Sequence, residues 1–456
     1  MNVFHRSLLL FCLSLVLLAA PASSQQGDAA LLAKARAIHD RVLKLDTHND
    51  IDPAHFVPAC NYTMRLTTQV NLPKMADGDM DVAFLIVYVG QRLPTEEEYA
   101  YAYEQAIEKF DAIHRFTKEI APAQMGLALT PEDVRRLHRE GKRVAVIGIE
   151  NAYPIGTDIR RVKEFYDRGG RYMSLAHNGN NQLADSNTGE ATGYSHNNGL
   201  SPLGRQVIAE MNRLGMMIDL SHPSKGANLE AIRLSKAPVI ASHSSVRALA
   251  DHSRNLDDEQ LLAIKKNGGV VQIVGFAGYL KVDSKERTQA LAKLREDFGF
   301  GGGGAAGPTF RRPPAAGACP VEDPKAAASG SSGSSSRRLS AILNMLPPER
   351  REEYQKRMAE INAKYPAATR ANVKDMVDHI DYAVKLMGID HVGISSDFDG
   401  GGGIDGWNSA AEAFNLTLEL VRRGYTEQQI EKLWSGNLLR VWGEVEKVAK
   451  QLQKQG

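Results

Sequence analysis

Histidines and carboxylates recur along this chain at comparable points, each closing a short apolar run. They are His48 in Asp46-Thr47-His48-Asn49-Asp50, Glu150 at the end of 143–150, and His177 at the end of 171–177. His222 in Leu220-Ser221-His222-Pro223, His243 in Ala241-Ser242-His243-Ser244, and Asp397 in Ser395-Ser396-Asp397-Phe398-Asp399 complete the set. Imidazole nitrogen and carboxylate oxygen are donors that zinc accepts. His48 and Asp50 are two apart, and such residues of an extended segment point to one side, so both can approach a single cation. A bare carboxylate in a half-buried position costs several kcal/mol, which requires Glu150 to be paired or metal-bound. Its candidate ion-pair partners, Lys142 and Arg143, stand at the opposite end of the run. His222 and His243 end consecutive runs with the same Ser-His pair, and neighbouring strands about 4.8 Å apart let two such imidazoles share an ion.

His48, Asp50, Glu150, His222 and His243 are accounted for by two zinc ions with Glu150 as the bridge; the donor set alone also permits manganese, cobalt or iron. Two metals about 3.5 to 4 Å apart hold a bridging water, lower its pKa toward neutrality and supply a hydroxide for hydrolysis. Asp397 then fits as the group that orients this water and carries its proton to a leaving amine. An Asp before glycine-rich sequence is also an ordinary turn residue, which is the reading given to Asp399. His177 is not needed as a ligand and is assigned to polarising the scissile carbonyl oxygen.

Residues so far apart in sequence need a scaffold that gathers strand ends. Eight apolar, β-branched runs are expected as strands: 42–48, 81–89, 143–150, 171–177, 215–222, 237–243, 268–274 and 391–397. Helical patterns at 201–214, 228–235 and 257–267 alternate with them, which argues for parallel βα units. Eight such units close into a (β/α)8 TIM-like barrel, whose active sites lie at the C-terminal face of the strands. Six of the eight runs end there in His, Asp or Glu.

The 456 residues and 43% hydrophobic content suffice for a barrel, and a net charge of +1 gives no electrostatic case for nucleic acid or an anionic membrane surface. Arg6, the apolar run 8–20 and the small residues 21–24 read as a signal peptide over 1–24, so the product is expected to be exported, secreted or periplasmic, without a stable membrane anchor. Residues 25–456 are then a single barrel domain. Its interruption at about 276–370 is rich in Gly, Ser and Pro, and part of it is expected to be mobile, starting from the catalytic face. With Cys12 removed, only Cys60 and Cys319 remain. They exclude a thiolate-rich zinc site and permit one disulfide, whose formation the sequence leaves open.

Taken together the motifs resemble the membrane dipeptidase (renal dipeptidase) family of zinc metallopeptidases. The likeness is carried by DTHND from Asp46, QVNLPKM from Gln69, the strand end at Glu150, and LAHNGNNQLADS from Leu175. It continues through IDLSHPS from Ile218, VIASHSSVRALADHSRNLDDEQL from Val239, GISSDFDG from Gly393 and SGNLLRVW from Ser435. The resemblance implies a binuclear zinc centre and hydrolysis of small dipeptides, including those with a C-terminal D-residue. It implies His48 and Asp50 as ligands of one zinc, Glu150 as the bridge, and His222 and His243 as ligands of the other. His177 and Asp397 become catalytic and substrate-contacting residues, Arg254 the partner of the substrate carboxylate, and the assembly a homodimer. A guanidinium suits that task because it bonds both carboxylate oxygens. Two departures stand out: Asn151 where the family has glycine, and Ser395-Ser396 where it has a glycine pair. The alternatives are another two-metal amidohydrolase-type hydrolase and a non-catalytic exported binding or maturation factor. Against the first, no lysine stands at a strand tip to bridge the metals.

Overall fold

The fold, a computed structural model, describes residues 22–299, 319–323 and 346–455. Eight strands run in chain order: β1 Leu45–Asp50, β2 Val82–Tyr88, β3 Arg143–Glu150, β4 Gly170–Ser174, β5 Met217–Asp219, β6 Ile240–Ser244, β7 Val270–Val274 and β8 Val392–Ser395. Each pairs in parallel with the next. β8 returns to β1 through a parallel bridge between Asn49 and Phe398, where the Asp50 amide donates to the Phe398 carbonyl at 2.9 Å. The result is the nearly closed α/β barrel expected from eight runs. A ninth short strand, Met125–Leu127, pairs with the first half of β3, and β4 takes the second half.

Period-two alternation divides the strand residues between two packed layers. Leu45, Phe84, Ile86, Val144, Val146, Tyr172, Met217, Ile240 and Val270 form the barrel interior, closed from below by Trp442 and its neighbours in the helix Asn437–Gln453. The alternate residues Ala83, Leu85, Val87, Ala145, Ile147 and Ile149 face the helical layer. By the same parity Tyr88 and Glu150, the last residues of β2 and β3, turn inward at the mouth, and the sheet register sets them opposite one another.

β3 coincides with its run, and the other strands are shorter than the runs that announced them. β4 ends at Ser174 and β5 at Asp219, so His177 and His222 stand three residues beyond their strands in loops; Asp397 stands two beyond β8, whereas His243 lies within β6. Helices fill Pro202–Leu214, Lys225–Leu234 and Asp258–Asn267, the last capped by the Asp257 side chain and closed by Gly268 at φ 85°. After β7, the helices Lys285–Asp297 and Pro348–Lys364 pack around Leu294, Phe298 and Tyr354. Arg287 ties them, donating to Asn362 Oδ1 at 3.0 Å and to the Tyr365 carbonyl at 2.7 Å. The segment 319–323 docks beside the loop after β1: Cys60 and Cys319 are disulfide-bonded, and Val321 pairs with Leu66. The glycine- and serine-rich runs of the interruption, and residues 1–21 of the expected signal peptide, lie outside the described residues. Among the described residues no helix is long and apolar enough to cross a membrane.

Candidate metal centre

The donors expected to share metal converge at the mouth. His48 Nε2 lies 3.6 Å from Asp50 Oδ2, 3.7 Å from Glu150 Oε2 and 4.0 Å from Asp397 Oδ1. The other oxygen of Glu150, Oε1, lies 2.9 Å from His222 Nε2 and 3.2 Å from His243 Nε2. One carboxylate thus turns an oxygen to each pair of donors, the arrangement a bridge requires. The ion-pair alternative for Glu150 fails, since Arg143 bonds Asp79 and Asp81 at the foot of the barrel.

Two buried carboxylates that the sequence reading passed over hold the strand tips together. Asp46 on β1 accepts from the Ser396 amide at 2.9 Å and from the Ser396 hydroxyl, fastening β1 to the loop after β8. Asp219 on β5 accepts from the Ser221 and Ser242 amides at 3.0 and 2.7 Å and from Ser242 Oγ at 2.6 Å, joining β5 to β6. Burial pushes Asp46 up to about 6 against the opposing pull of the Ser396 bonds. Ser396, one of the departures from the family pattern, therefore supplies a hydroxyl that glycine would lack. Asn151, the other, adopts φ 69°, a left-handed conformation that Asn tolerates best after glycine. Its amide side chain bonds the Val89 carbonyl at 3.0 Å.

The outer nitrogen of each ligand-candidate imidazole meets a hydrogen-bond acceptor. Tyr172 donates its hydroxyl proton to the Thr47 carbonyl at 3.0 Å, so its oxygen is left to accept from His48 Nδ1, also at 3.0 Å. Gly148 opposite makes this reach possible, because a Cβ there would collide with the Tyr172 ring. Ser242 gives its proton to Asp219 and accepts from His243 Nδ1 at 2.8 Å. Asn178 Oδ1 faces His222 Nδ1 at 3.3 Å. With the proton on Nδ1 in all three, the Nε2 lone pairs point inward, as metal ligation demands. His48 Nε2 is buried without a hydrogen-bond partner.

The electrostatics are those of a site built for cations. Burial, then the Asp50 and Glu150 carboxylates, raise Asp397 to about 8 despite the attraction of His48. Burial would lower His48, but Glu150 and Asp50 overcome it and hold the ring well above its ordinary value. A proton or a metal cation at Nε2 answers the same negative field. His222 and His243 are held far below the imidazole range, the first by burial and the nearby Arg254 and His177, the second by burial and His48. Neutral imidazoles facing a cluster of carboxylates, with one buried nitrogen unpartnered, fit divalent metal.

Arg254 is no surface charge: it is 3% exposed. Its guanidinium donates to the His243 carbonyl at 2.9 Å and Ser244 Oγ at 3.2 Å, and leaves Nε without a hydrogen-bond partner. Tyr279, which the sequence reading missed, lies with its ring 5.4 Å from that guanidinium. His177, whose pKa burial and Arg254 lower, stands 4.0 Å from Glu150 Oε1, with its ring 4.6 Å from that of Tyr88. No charge pattern announces either phenol; the runs 81–89 and 268–274, which became β2 and β7, are the two of the eight that do not end in His, Asp or Glu.

A parallel eight-stranded barrel with His, Asp and Glu gathered at its strand tips defines a metal-using hydrolase of the barrel type. The chain matches the membrane dipeptidase family (peptidase family M19) over residues 32–456 and belongs to it, as a hydrolase acting on dipeptides. The probable dipeptidase PvdM from Pseudomonas aeruginosa is 34% identical, with a TM-score of 0.73 over 92% of this chain and 99% of that one. A metallopeptidase from Rhodobacter sphaeroides, liganded with a phosphinate mimic of the dipeptide L-Ala-D-Ala, shares the fold at 20% identity and a TM-score of 0.62, covering 89% of this chain and 99% of that one. Among sequence relatives, dipeptidase C965.12 of Schizosaccharomyces pombe is 27% identical over 90% of this chain and 82% of its own length. Dipeptidase aclJ of Aspergillus oryzae is 28% identical over 90% and 80%.

Proposed function

We propose that the chain is a two-zinc dipeptidase cleaving L-Xaa-L-Xaa or L-Xaa-D-Xaa substrates, with His48 and Asp50 holding one ion, His222 and His243 the other, and Glu150 both. The observation that carries this reading is the split of Glu150, one oxygen toward each pair of donors. Bound there, the metal pair would polarise a peptide carbonyl and bring the pKa of a water toward neutrality. Asp397, 4.0 Å from His48 Nε2, is placed to take up a proton at the site and pass it to the departing amine. His177 presents a ring N–H to the carbonyl oxygen as charge builds on it. Arg254, with a free Nε–H in a buried setting, receives the substrate carboxylate, where a charge-assisted bond gains strength from exclusion of water. The same reading includes export by the segment 1–24, in keeping with the Cys60–Cys319 disulfide, and a homodimer.

The test is metal analysis of the purified full chain together with hydrolysis of L,L and L,D dipeptides and of a C-terminal dipeptide amide. About two zinc ions per chain and a rate loss of at least about tenfold on the amide are expected, since one charge-assisted bond exceeds about 1.4 kcal/mol. Asp397→Asn should keep both ions and lose most turnover. Equal rates on acid and amide overturn the role of Arg254, and normal turnover in the Asn variant that of Asp397.

A further inference from the structure

Four imidazoles crowd the mouth of this barrel, and geometry alone does not separate the ligands from the donor. His177 and His222 have ring centroids 4.1 Å apart, and donor atoms of His177, His222 and Glu150 lie within 4.8 Å of one another. A neutral imidazole carries one ring proton. If the proton of His177 sits on Nδ1, its Nε2 lone pair faces the same space as the ligands; if on Nε2, the ring can donate to substrate.

We propose that Tyr88 makes this choice: its phenol donates to His177 Nδ1, keeps the ring proton on Nε2 and so fixes His177 as a hydrogen-bond donor rather than a fourth imidazole ligand. Tyr88 is the inward-facing last residue of β2, in register with Glu150, and its hydroxyl lies 3.3 Å from His177 Nδ1. The two rings pack at 4.6 Å, which holds the imidazole plane. The contrast with the other phenol in the site is chemical. Tyr172 spends its proton on the Thr47 carbonyl and therefore accepts from His48, the opposite of the part proposed here for Tyr88. Tyr88 is thus a positioning residue that acts through His177. The proposal rests on the reading of His177 as the group that meets the carbonyl oxygen.

The test compares zinc-loaded wild type and Tyr88→Phe, which retains the packed ring. With 15N-labelled histidine, two-bond proton–nitrogen correlations identify which ring nitrogen bears the proton, and a His177→Gln spectrum assigns the signal. Expected are Nε2–H at His177 in wild type and Nδ1–H, or an exchanging mixture, in the variant. Its kcat should fall about tenfold or more with KM and zinc content little changed, a fraction of what loss of a whole oxyanion donor costs. A tautomer change without a change in kcat upholds Tyr88 and removes His177 from the chemistry. Nδ1–H in wild type, or Nε2–H in both proteins, overturns the proposal.

Discussion

Gly400 offers a steric test of the metal centre that touches no ligand chemically. It follows Asp399 in the loop after β8, and its φ lies outside the left-handed region, so an alanine there meets no backbone strain. What it meets is the site: an ideal Cβ would stand under 3.0 Å from both Asp50 Oδ2 and Asp397 Oδ1, against 3.4 Å or more in ordinary contact. Restoring contact requires the two carboxylates to retreat by about 1 Å, and a displacement of that size at a reacting centre costs on the order of 100-fold in rate. Asp50 is a candidate ligand and Asp397 the candidate proton carrier, so Gly400→Ala should weaken one of two metal ions and lower kcat by about 100-fold. The fold should survive, because the strand ladders and the core are untouched. Zinc content after dialysis, kcat on a dipeptide and the unfolding midpoint measure the three effects separately. Full activity with two ions retained would refute the inference that this loop packs directly on the candidate ligand Asp50 and on Asp397.

Two further outcomes follow from the groups around the site and from the helical layer. Ser242→Ala breaks the Asp219–Ser242–His243 chain while Asp219 keeps its two backbone partners, so zinc affinity at the His222–His243 side should fall about 10- to 100-fold in a chelator competition; unchanged affinity would deny Ser242 that role. His379, buried in the helix Val373–Met387, accepts from the Val246 amide at 3.1 Å and donates to the Leu280 carbonyl at 3.1 Å, which leaves no place for a second ring proton. Burial lowers it from 6.5 to about 4, against the pull of Leu280, Asp378 and Asp375. The folded state therefore binds fewer protons than the unfolded one. Stability from this group is complete above pH 6.5 and is lost as pH falls toward 4, by up to about 3 kcal/mol. Urea unfolding at pH 7 and pH 4.5 should show a smaller acid loss in His379→Gln than in wild type, and equal losses would sink the assignment.

The barrel was legible because each strand is a short, nearly continuous apolar run, and the candidate ligands because a charged or imidazole residue ending such a run is conspicuous. What escaped was of another kind. Asp46 and Asp219 stand inside quoted motifs, yet their role depends on which strands are neighbours, and sequence spacing does not reveal that Asp46 meets Ser396. Tyr88, Tyr172 and Asn178 are uncharged, and their effect on an imidazole appears only once register and inward parity are known. His222 was expected on a strand. It adopts φ 82° immediately before Pro223, a costly conformation that propensity argues against. Its ring is held by Asn178 at Nδ1 and by packing on the His177 ring at 4.1 Å, and contacts of this kind sustain such strain.

The distribution of neutral hydroxyls around the centre follows from what metals and substrates each require. A cation demands lone pairs, so the space shared by His48, Asp50, Glu150, His222 and His243 must be walled by acceptors, and the protons of three imidazoles are drawn outward by Tyr172, Asn178 and Ser242. A peptide with a free carboxylate demands donors for its oxygens. On the proposed reading these are the Nε–H of Arg254 beside Tyr279 and the ring N–H of His177 beside Tyr88. β2 and β7, whose runs end without His, Asp or Glu, lead to those two phenols. A charged group at either place would compete for the metals, whereas a phenol can direct a proton without doing so. On this argument Tyr88→Glu should disturb metal content, while Tyr88→Phe should leave it intact and disturb only the donor side of the site.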